Sequence, residues 1–284
     1  MSDPTHGHSE HLRIWHDGEL LTDPSERRIS AVDHGLVVGD GVFEALKVTP
    51  AGPFTVRRHL ERLTRSARMM GLPDPDHDQI RQAIEAVIEG RAYELGRLRI
   101  TWTGGVGPLG SLPAFGPPTL VVAVDSVAPA PPVTRIVTTP WLRNERGAMT
   151  GVKSTSYGEN VRALAYAGER DATEGVFVNT AGHLAEGSGT NIYCVFDGEI
   201  VTPPLEAGIL DGVTRQLVCA WNEVTVRDLT LAEAQTADEV FVSSSLRDVQ
   251  AVEQWDAVSF SAPGAVTAEV QRVFAERSAA DLDP

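Results

Sequence analysis

A single lysine, Lys153, lies among small and hydroxylated residues just past the middle of the chain, in the stretch GVKSTSYGENVR over residues 151–162. Lysines in proteins are mostly exposed, so an ordinary loop lysine is one interpretation. The other is a reactive amine, because a lysine held among apolar or cationic groups loses its proton readily and forms imines with carbonyl compounds. The other functional groups of the chain have to decide between the two.

One acid, Glu186, stands among apolar and small residues in the stretch LAEGSGTNIYCVF, residues 184–196. A carboxylate that is buried needs a charged or hydrogen-bonding partner. An exposed glutamate, or one at a bulge, needs neither. Both interpretations stay open from this stretch alone.

Two segments have the composition of anion sites. Gly212, Val213 and Thr214 precede a predicted helix, whose first N–H groups and positive dipole end would attract an anion. Ser243–Ser245 place three hydroxyls directly after a predicted strand. A capping threonine and a serine-rich turn are the plain alternatives for the two segments.

The composition sets limits on the class of protein. The 284 residues exceed one typical domain, and 42% hydrophobic with 22% charged residues is ordinary globular usage. A net charge of −15 argues against nucleic acid or an anionic membrane as a partner. Cys194 and Cys219 are too few for a disulfide framework, and the polar N-terminus has no signal pattern. We therefore predict a cytoplasmic protein without a membrane span and without a metal site.

Hydrophobic periodicity predicts an α+β fold. Residues 12–21 read as a hairpin turning at Asp17-Gly18, and residues 98–103 and 119–124 read as strands. Apolar residues at helical spacing predict helices over 60–70, 78–93 and 265–275. The stretch GVGPLG, residues 105–110, matches a dinucleotide-binding fingerprint, but the prolines around it leave no room for the required helix. A loop is predicted there instead.

The proline-rich stretch VAPAPPV, residues 127–133, is typical of a semi-rigid spacer. It divides the chain into an N-terminal domain, residues 1–127, a linker, residues 128–133, and a C-terminal domain, residues 134–284. The larger C-terminal domain carries Lys153, Glu186 and both predicted anion sites.

One cofactor suits the combination of a loop lysine, an isolated acid, two anion sites and a predicted helix made basic by Arg57, Arg58, Arg62 and Arg65. Pyridoxal phosphate needs a lysine for its Schiff base, a charged partner for its pyridinium nitrogen and a pocket for its phosphate. Six motifs occur across the chain: GDGVFEALKV (39–48), HLERLTRSA (59–67), VKSTSYGENV (152–161), LAEGSGTNIY (184–193), ILDGVTRQLV (209–218) and VFVSSSLRDVQAV (240–252). With these motifs, the chain resembles the class IV, or fold type IV, pyridoxal-phosphate enzymes.

The resemblance implies a small N-terminal α/β domain, a larger C-terminal domain with a mixed sheet or barrel-like core, and a homodimer. It implies that Lys153 forms the Schiff base and moves protons, that Glu186 faces the pyridinium nitrogen, and that Leu210 packs on the ring. The implied phosphate ligands are Arg62, Val213, Thr214, Ser244 and Ser245.

Within the family, KSTSYGENV with SSSLRDVQ is most similar to aminodeoxychorismate lyases. That resemblance predicts conversion of aminodeoxychorismate to 4-aminobenzoate and pyruvate. Because a dianionic substrate in a net-acidic protein needs local cations, Arg247 and Arg99 are candidate partners of its carboxylates, and Tyr157 is a further candidate substrate residue. Aminotransfer with D- or branched-chain amino acids is the alternative. It stays open because those enzymes share the cofactor motifs, although Thr103-Gly104-Gly105 and Gly158 depart from their substrate patterns.

Overall fold

The computed structural model describes residues 11–114 and 116–284. The chain divides into two compact units. The first comprises residues up to Ala128 together with Val152–Ser156 and Asp283, and the second comprises Pro129–Gly151, Tyr157–Leu282 and Pro284. The segment that carries Lys153 therefore belongs to the first unit, whereas the predicted range 134–284 had assigned it to the second.

The first unit is built on a six-stranded sheet in which all strand pairs are antiparallel. Its strands are β1 (Arg13–His16), β2 (Glu19–Leu20), β3 (Gly41–Thr49), β4 (Gly52–Pro53), β5 (Gly96–Thr103) and β6 (Thr119–Ser126), in the spatial order β2-β1-β6-β5-β3-β4. The hairpin predicted at Asp17-Gly18 is confirmed, with Asp17 and Gly18 both at positive φ.

Helices α2 (Val56–Met69) and α3 (His77–Ile88) close the core of this unit, and α1 (His34–Val37) is a single turn. The helix α2 buries Leu60, Leu63 and Ala67, and α3 buries Ile80 and Ile84. These are the positions that the hydrophobic period assigned to inward faces. The helix α3 ends at Ile88, five residues before the predicted end.

The second unit contains a nine-stranded mixed sheet. Its strands are β7 (Val133–Arg143), β8 (Glu174–Asn179), β9 (Leu184–Gly187), β10 (Asn191–Phe196), β11 (Glu199–Thr202), β12 (Val224–Val226), β13 (Glu239–Ser244), β14 (Asp248–Trp255) and β15 (Val258–Ser259). The order is β12-β11-β10-β13-β14-β7-β8-β9, with β15 on β14. The pairs β11–β12, β14–β7 and β7–β8 are parallel. The α+β class with a mixed C-terminal sheet is confirmed.

Four α-helices are described in the second unit: α4 (Gly158–Gly168), α5 (Val213–Trp221), α6 (Leu231–Ala234) and α7 (Ala265–Ala280). Buried apolar side chains from the central strands, including Ile192, Val240 and Trp255, form its main core. Among the described residues, no helix is long and apolar enough to cross a membrane.

The glycine-rich stretch 105–110 is a loop after β5, as predicted. The His34 N–H donates to the Gly105 carbonyl at 2.8 Å, and the His34 ring Nε2 lies 2.9 Å from the Pro108 carbonyl oxygen. Gly105 has φ +77°, and a Cβ there would strike the Pro117 backbone. The glycines of this stretch are therefore explained by the conformation of the loop.

Candidate active site

The lysine segment pairs with the start of β3 in the first unit. The Phe43 N–H donates to the Lys153 carbonyl at 2.9 Å, and the Thr155 N–H donates to the Gly41 carbonyl at 2.8 Å. The Lys153 N–H donates to Ser66 Oγ of α2 at 3.3 Å. These bonds hold the lysine backbone as an added strand segment, so its position is set by β3 and α2.

The Phe43 ring contacts two cationic side chains. Lys153 Nζ lies 4.5 Å from the ring centroid, and Arg99 Cζ of β5 lies 3.8 Å from it. Such contacts stabilise a cation by the negative face of the ring. The structure therefore brings the candidate substrate residue Arg99 and Lys153 to one aromatic side chain.

A buried ionic cluster lies next to the lysine segment. Arg62 of α2 donates from Nε to Glu44 Oε1 at 2.8 Å and from Nη2 to Glu44 Oε2 at 2.7 Å. His59 Nδ1 donates to Glu44 Oε2 at 2.6 Å. Glu44 and His59 are fully buried, and Arg62 is 5% exposed. Arg62, a predicted phosphate ligand, is therefore fixed in orientation by a carboxylate on β3.

The pKa values in this cluster follow from burial and charge. Burial alone would raise the pKa of Glu44, but the charges and hydrogen bonds of Arg62 and His59 outweigh it and lower the pKa to about 2. Burial lowers the pKa of His59, contacts with Glu44 oppose the shift, and the charges of Arg62 and Lys153 reinforce it. The cluster thus pairs one ionised carboxylate with a guanidinium and an imidazole.

In the second unit, Glu186 is the third residue of β9 and lies beside Leu210. Glu186 Oε2 accepts from the Leu210 N–H at 2.9 Å and from Asn191 Nδ2 at 3.4 Å, and Asn191 Nδ2 also donates to the Leu210 carbonyl at 3.0 Å. The Glu186 side chain is 12% exposed. The structure therefore places the predicted acid and the predicted ring contact Leu210 together, with Asn191 joining them.

The predicted anion sites also converge on Asn191. Gly212 is the N-cap of α5 and has no capping side chain, and a Cβ on it would strike Asn191 Oδ1. Across the sheet, Asn191 of β10 is directly paired with Ser243 of β13. Because no side chain caps α5, its start presents the N–H groups of Val213 and Thr214, and its first turn has no acidic residue. Ser244 ends β13 and Ser245 follows in the turn.

Arg247, a candidate substrate residue, interacts with buried groups of its own unit. Its Nη2 lies 3.2 Å from Glu174 Oε2 and donates to the Thr173 carbonyl at 3.2 Å. Burial raises the pKa of Glu174, although the charge of Arg247 and hydrogen bonds from Ser188 and Gly189 oppose the shift. These contacts favour a structural role for Arg247, in which its positive charge compensates the negative charge of the buried Glu174 carboxylate.

Tyr157, another candidate substrate residue, donates from its hydroxyl to the Ser188 carbonyl at 3.2 Å. Asn160 Nδ2 donates to the same carbonyl. The Ser188 hydroxyl donates to Glu174. Hydrogen bonds of Ser188 thus connect the turn after Glu186 to the start of α4 and to Glu174.

Sequence reasoning missed four residues of this arrangement: Glu44, His59, Asn191 and Arg143. Glu44 had a signal, because a lone acid in the apolar strand sequence GVFEALKV needs a buried partner. Arg143 Nη2 lies 3.7 Å from Glu186 Oε1.

Across the described ranges, no group of three or more histidine, cysteine, aspartate or glutamate residues could hold a metal ion.

Comparison with known proteins places this geometry in a family. The model of the class IV amino-transferase family matches residues 41–255, which include Lys153, the Glu44 cluster, Glu186 and both anion sites. The chain belongs to the class IV aminotransferase family, and the predicted family is confirmed.

Two curated relatives cover most of the chain. A putative branched-chain-amino-acid aminotransferase of Methanocaldococcus jannaschii is 30% identical over 281 residues, 93% of this chain and 95% of the relative. A bifunctional aminodeoxychorismate lyase / D-amino acid transaminase of Mycobacterium tuberculosis is 32% identical over 244 residues, 75% of this chain and 82% of the relative. The family thus contains both of the activities that the sequence left open.

The fold also matches a solved structure with cofactor. The PLP-bound form of a hypothetical aminotransferase from Mycobacterium tuberculosis superposes with a TM-score of 0.81 and 27% identity, over 93% of this chain and 99% of that one. The predicted fold type IV architecture is confirmed.

Proposed function

We propose that the protein is a pyridoxal-phosphate-dependent aminotransferase that transfers the amino group of a branched-chain or D-amino acid to a 2-oxo acid. The observation that carries this proposal is the presence of the required lysine, carboxylate and anion-binding groups in a chain whose match to the M. jannaschii relative extends over 93% of its length. The lyase predicted first from the sequence has narrower support.

The residues fit the cofactor by their chemistry. The start of α5 has no capping side chain and no acidic residue in its first turn, so its backbone N–H groups suit a phosphate. Thr214, Ser244 and Ser245 add hydroxyls, and the guanidinium of Arg62, held by Glu44, adds a fixed positive charge. Glu186 supplies a carboxylate whose Oε2 is fixed by Leu210 and Asn191. Pyridoxal phosphate needs these groups.

When bound, pyridoxal phosphate supplies an electrophilic imine carbon and an electron sink for the pair left when the substrate Cα–H bond breaks. Lys153 supplies the primary amine that attaches the cofactor, and its Nζ takes and returns the proton at the substrate carbon. The Glu186 carboxylate favours a protonated pyridine nitrogen by charge. Leu210, fixed by its hydrogen bond to Glu186, packs on the ring. Arg99 is the leading candidate for the substrate carboxylate, because it shares the Phe43 ring with Lys153.

The test assays one purified sample for two reactions. Amino transfer is measured from L-leucine, L-valine and D-alanine to 2-oxoglutarate, and lyase activity is measured as 4-aminobenzoate and pyruvate release from aminodeoxychorismate. We expect amino transfer that is lost in Lys153→Ala, and borohydride reduction with peptide mapping that labels Lys153 in the unmodified protein. Absence of amino transfer in a protein that binds the cofactor would contradict the proposal.

Lyase activity is the second candidate. It is favoured by the M. tuberculosis relative, whose name combines lyase and D-amino acid transaminase activities. Release of 4-aminobenzoate alongside transfer from D-alanine, with none from L-leucine, would identify a bifunctional enzyme of that kind. The predicted homodimer and cytoplasmic location stay predictions, and light scattering of the purified protein tests the first.

A further inference from the structure

Arg143, the last residue of β7, holds a buried positive charge that the proposed chemistry has not used. Its side chain is 14% exposed. Cζ lies 4.2 Å from the centroid of the Phe177 ring, which covers one face of the guanidinium. Nε and Nη2 are buried and have no hydrogen-bond partner within residues 11–114 and 116–284. A guanidinium in this state is costly to bury unless a nearby negative charge compensates it.

Two carboxylates lie near Arg143, and they differ in exposure. Glu159 Oε2 is 3.2 Å from Nη1, but the Glu159 side chain is 73% exposed and its charge is screened by water. Glu186 Oε1 is 3.7 Å from Nη2, and the Glu186 side chain is 12% exposed. The buried counterion of Arg143 is therefore Glu186.

The two oxygens of Glu186 have different surroundings. Oε2 accepts hydrogen bonds from Leu210 and Asn191, which fix the orientation of the carboxylate. Oε1 faces the Arg143 guanidinium at ion-pair distance, beyond hydrogen-bonding range. The contrast with Glu44 is informative, because Arg62 engages both oxygens of that carboxylate at 2.7–2.8 Å. Arg143 attracts the charge of Glu186 without engaging it in a direct hydrogen bond.

We propose that Arg143 is a positioning residue that keeps Glu186 ionised and oriented for the pyridine nitrogen of the cofactor. This inference rests on the proposed function, in which Glu186 is the partner of that nitrogen. Removing the guanidinium would take a positive charge away from the partly buried Glu186 carboxylate. The carboxylate would then be more basic and would take the proton from the pyridine nitrogen, so the charge pair would be lost and the cofactor would bind more weakly.

The experiment measures the dissociation constant of pyridoxal phosphate for apoprotein prepared from the full chain and the thermal midpoint of that apoprotein. It also measures the pH profile of the visible absorbance and the KM for the amino acid in the protein with cofactor. The variants are Arg143→Met, Arg143→Lys, Glu186→Gln and the double variant Arg143→Met/Glu186→Gln. Arg162→Met is the matched control, because Arg162 is an exposed arginine of the same unit, 3.9 Å from the exposed Glu169.

We expect Arg143→Met to weaken cofactor binding about tenfold and shift the pH profile, Arg143→Lys to restore part of both, and Arg162→Met to change neither. In the Glu186→Gln background, Arg143→Met should change binding less than twofold, because its effect acts through that carboxylate. Arg143→Lys keeps the test informative should the methionine variant fail to fold.

Three results would overturn the inference. A raised KM for the amino acid with unchanged cofactor affinity would make Arg143 a substrate ligand. A lower thermal midpoint with unchanged affinity and pH profile would make it only structural. Additive effects of Arg143→Met and Glu186→Gln would separate the two residues. By contrast, Glu186→Gln with unchanged affinity and spectrum would contradict the proposed role of Glu186 itself.

Discussion

The Arg62 guanidinium binds the fully buried Glu44 carboxylate side-on, through Nε to Oε1 at 2.8 Å and Nη2 to Oε2 at 2.7 Å. Side-on pairs of this kind fix the plane of the guanidinium as well as its position. Because Arg62 is on α2 and Glu44 is on β3, the pair joins a helix to the strand whose backbone is hydrogen-bonded to the lysine segment.

Glu44→Gln should destabilise the protein strongly. The change removes the negative charge from a buried ion pair, which costs on the order of 3 kcal/mol in other buried pairs. Urea unfolding of the apoprotein measures the loss. Glu61→Gln is the control, because Glu61 lies on α2, the helix of Arg62, in an exposed pair with Arg57. This substitution should lower the free energy of unfolding by less than about 0.5 kcal/mol. Equal effects of the two changes would contradict the role given to the buried pair.

The same pair predicts a pH dependence of stability. The folded-state pKa of Glu44, about 2, is below its ordinary value of 4.5. Such a depressed carboxyl pKa stabilises the folded state above about pH 4.5, and this stabilisation is lost as the pH falls toward about 2. The difference in unfolding free energy between the unmodified protein and Glu44→Gln should be constant from pH 7 to 5 and shrink below that. A difference that grows in acid would contradict the sign.

Gly39→Ala should disturb the lysine segment. Gly39 has φ +71°, and a Cβ on it would collide with Ser156 Oγ, which donates to the Gly39 carbonyl at 3.0 Å. Gly90→Ala is the matched control, because Gly90 has φ +67° and nothing within 4 Å of the added Cβ. Both changes should cost about 1 kcal/mol from backbone strain. Only Gly39→Ala should also lower cofactor incorporation, measured by visible absorbance at saturating pyridoxal phosphate.

Arg99→Met and Arg247→Met should separate substrate binding from structural support. Arg99 is exposed on the Phe43 ring, so its loss should raise the amino acid KM about tenfold with little change in stability. Arg247 compensates the buried Glu174, so its loss should lower the thermal midpoint. A large KM effect at Arg247 with unchanged stability would restore it as a substrate ligand.

Periodicity and turn chemistry were sufficient for most of the fold. The hairpin at Asp17-Gly18, the faces of α2 and α3 and the loop at 105–110 follow from local sequence, since each depends on residues a few positions apart. The end of α3 did not follow, because Gly90 and its flanking residues compete with an apolar pattern that continues to Tyr93. Local sequence fixes the type of an element better than its end.

The candidate site was less accessible to sequence reasoning. Lys153 and Glu186 could be proposed from the sequence because several motifs together suit one cofactor, but Asn191 and Arg143 interact with partners far along the chain. Asn191 contacts Leu210, nineteen residues away, and Arg143 contacts Glu186, forty-three residues away. Strand pairing brings these residues together although they are far apart in sequence. The pairing of β7 with β14 and β8 is not encoded in any local pattern.

The return of Val152–Ser156 to the first unit limits how this protein can be taken apart. A gene cut after Ala128 would give one fragment without the segment that pairs with Gly41–Phe43, and another fragment with a lysine separated from its backbone partners. Neither half of the linear sequence is a transferable module. A chimera joined at the proline-rich stretch would have to exchange residues 152–156 together with the N-terminal half, because the backbone partners of Lys153 are encoded in a different part of the gene from the lysine itself.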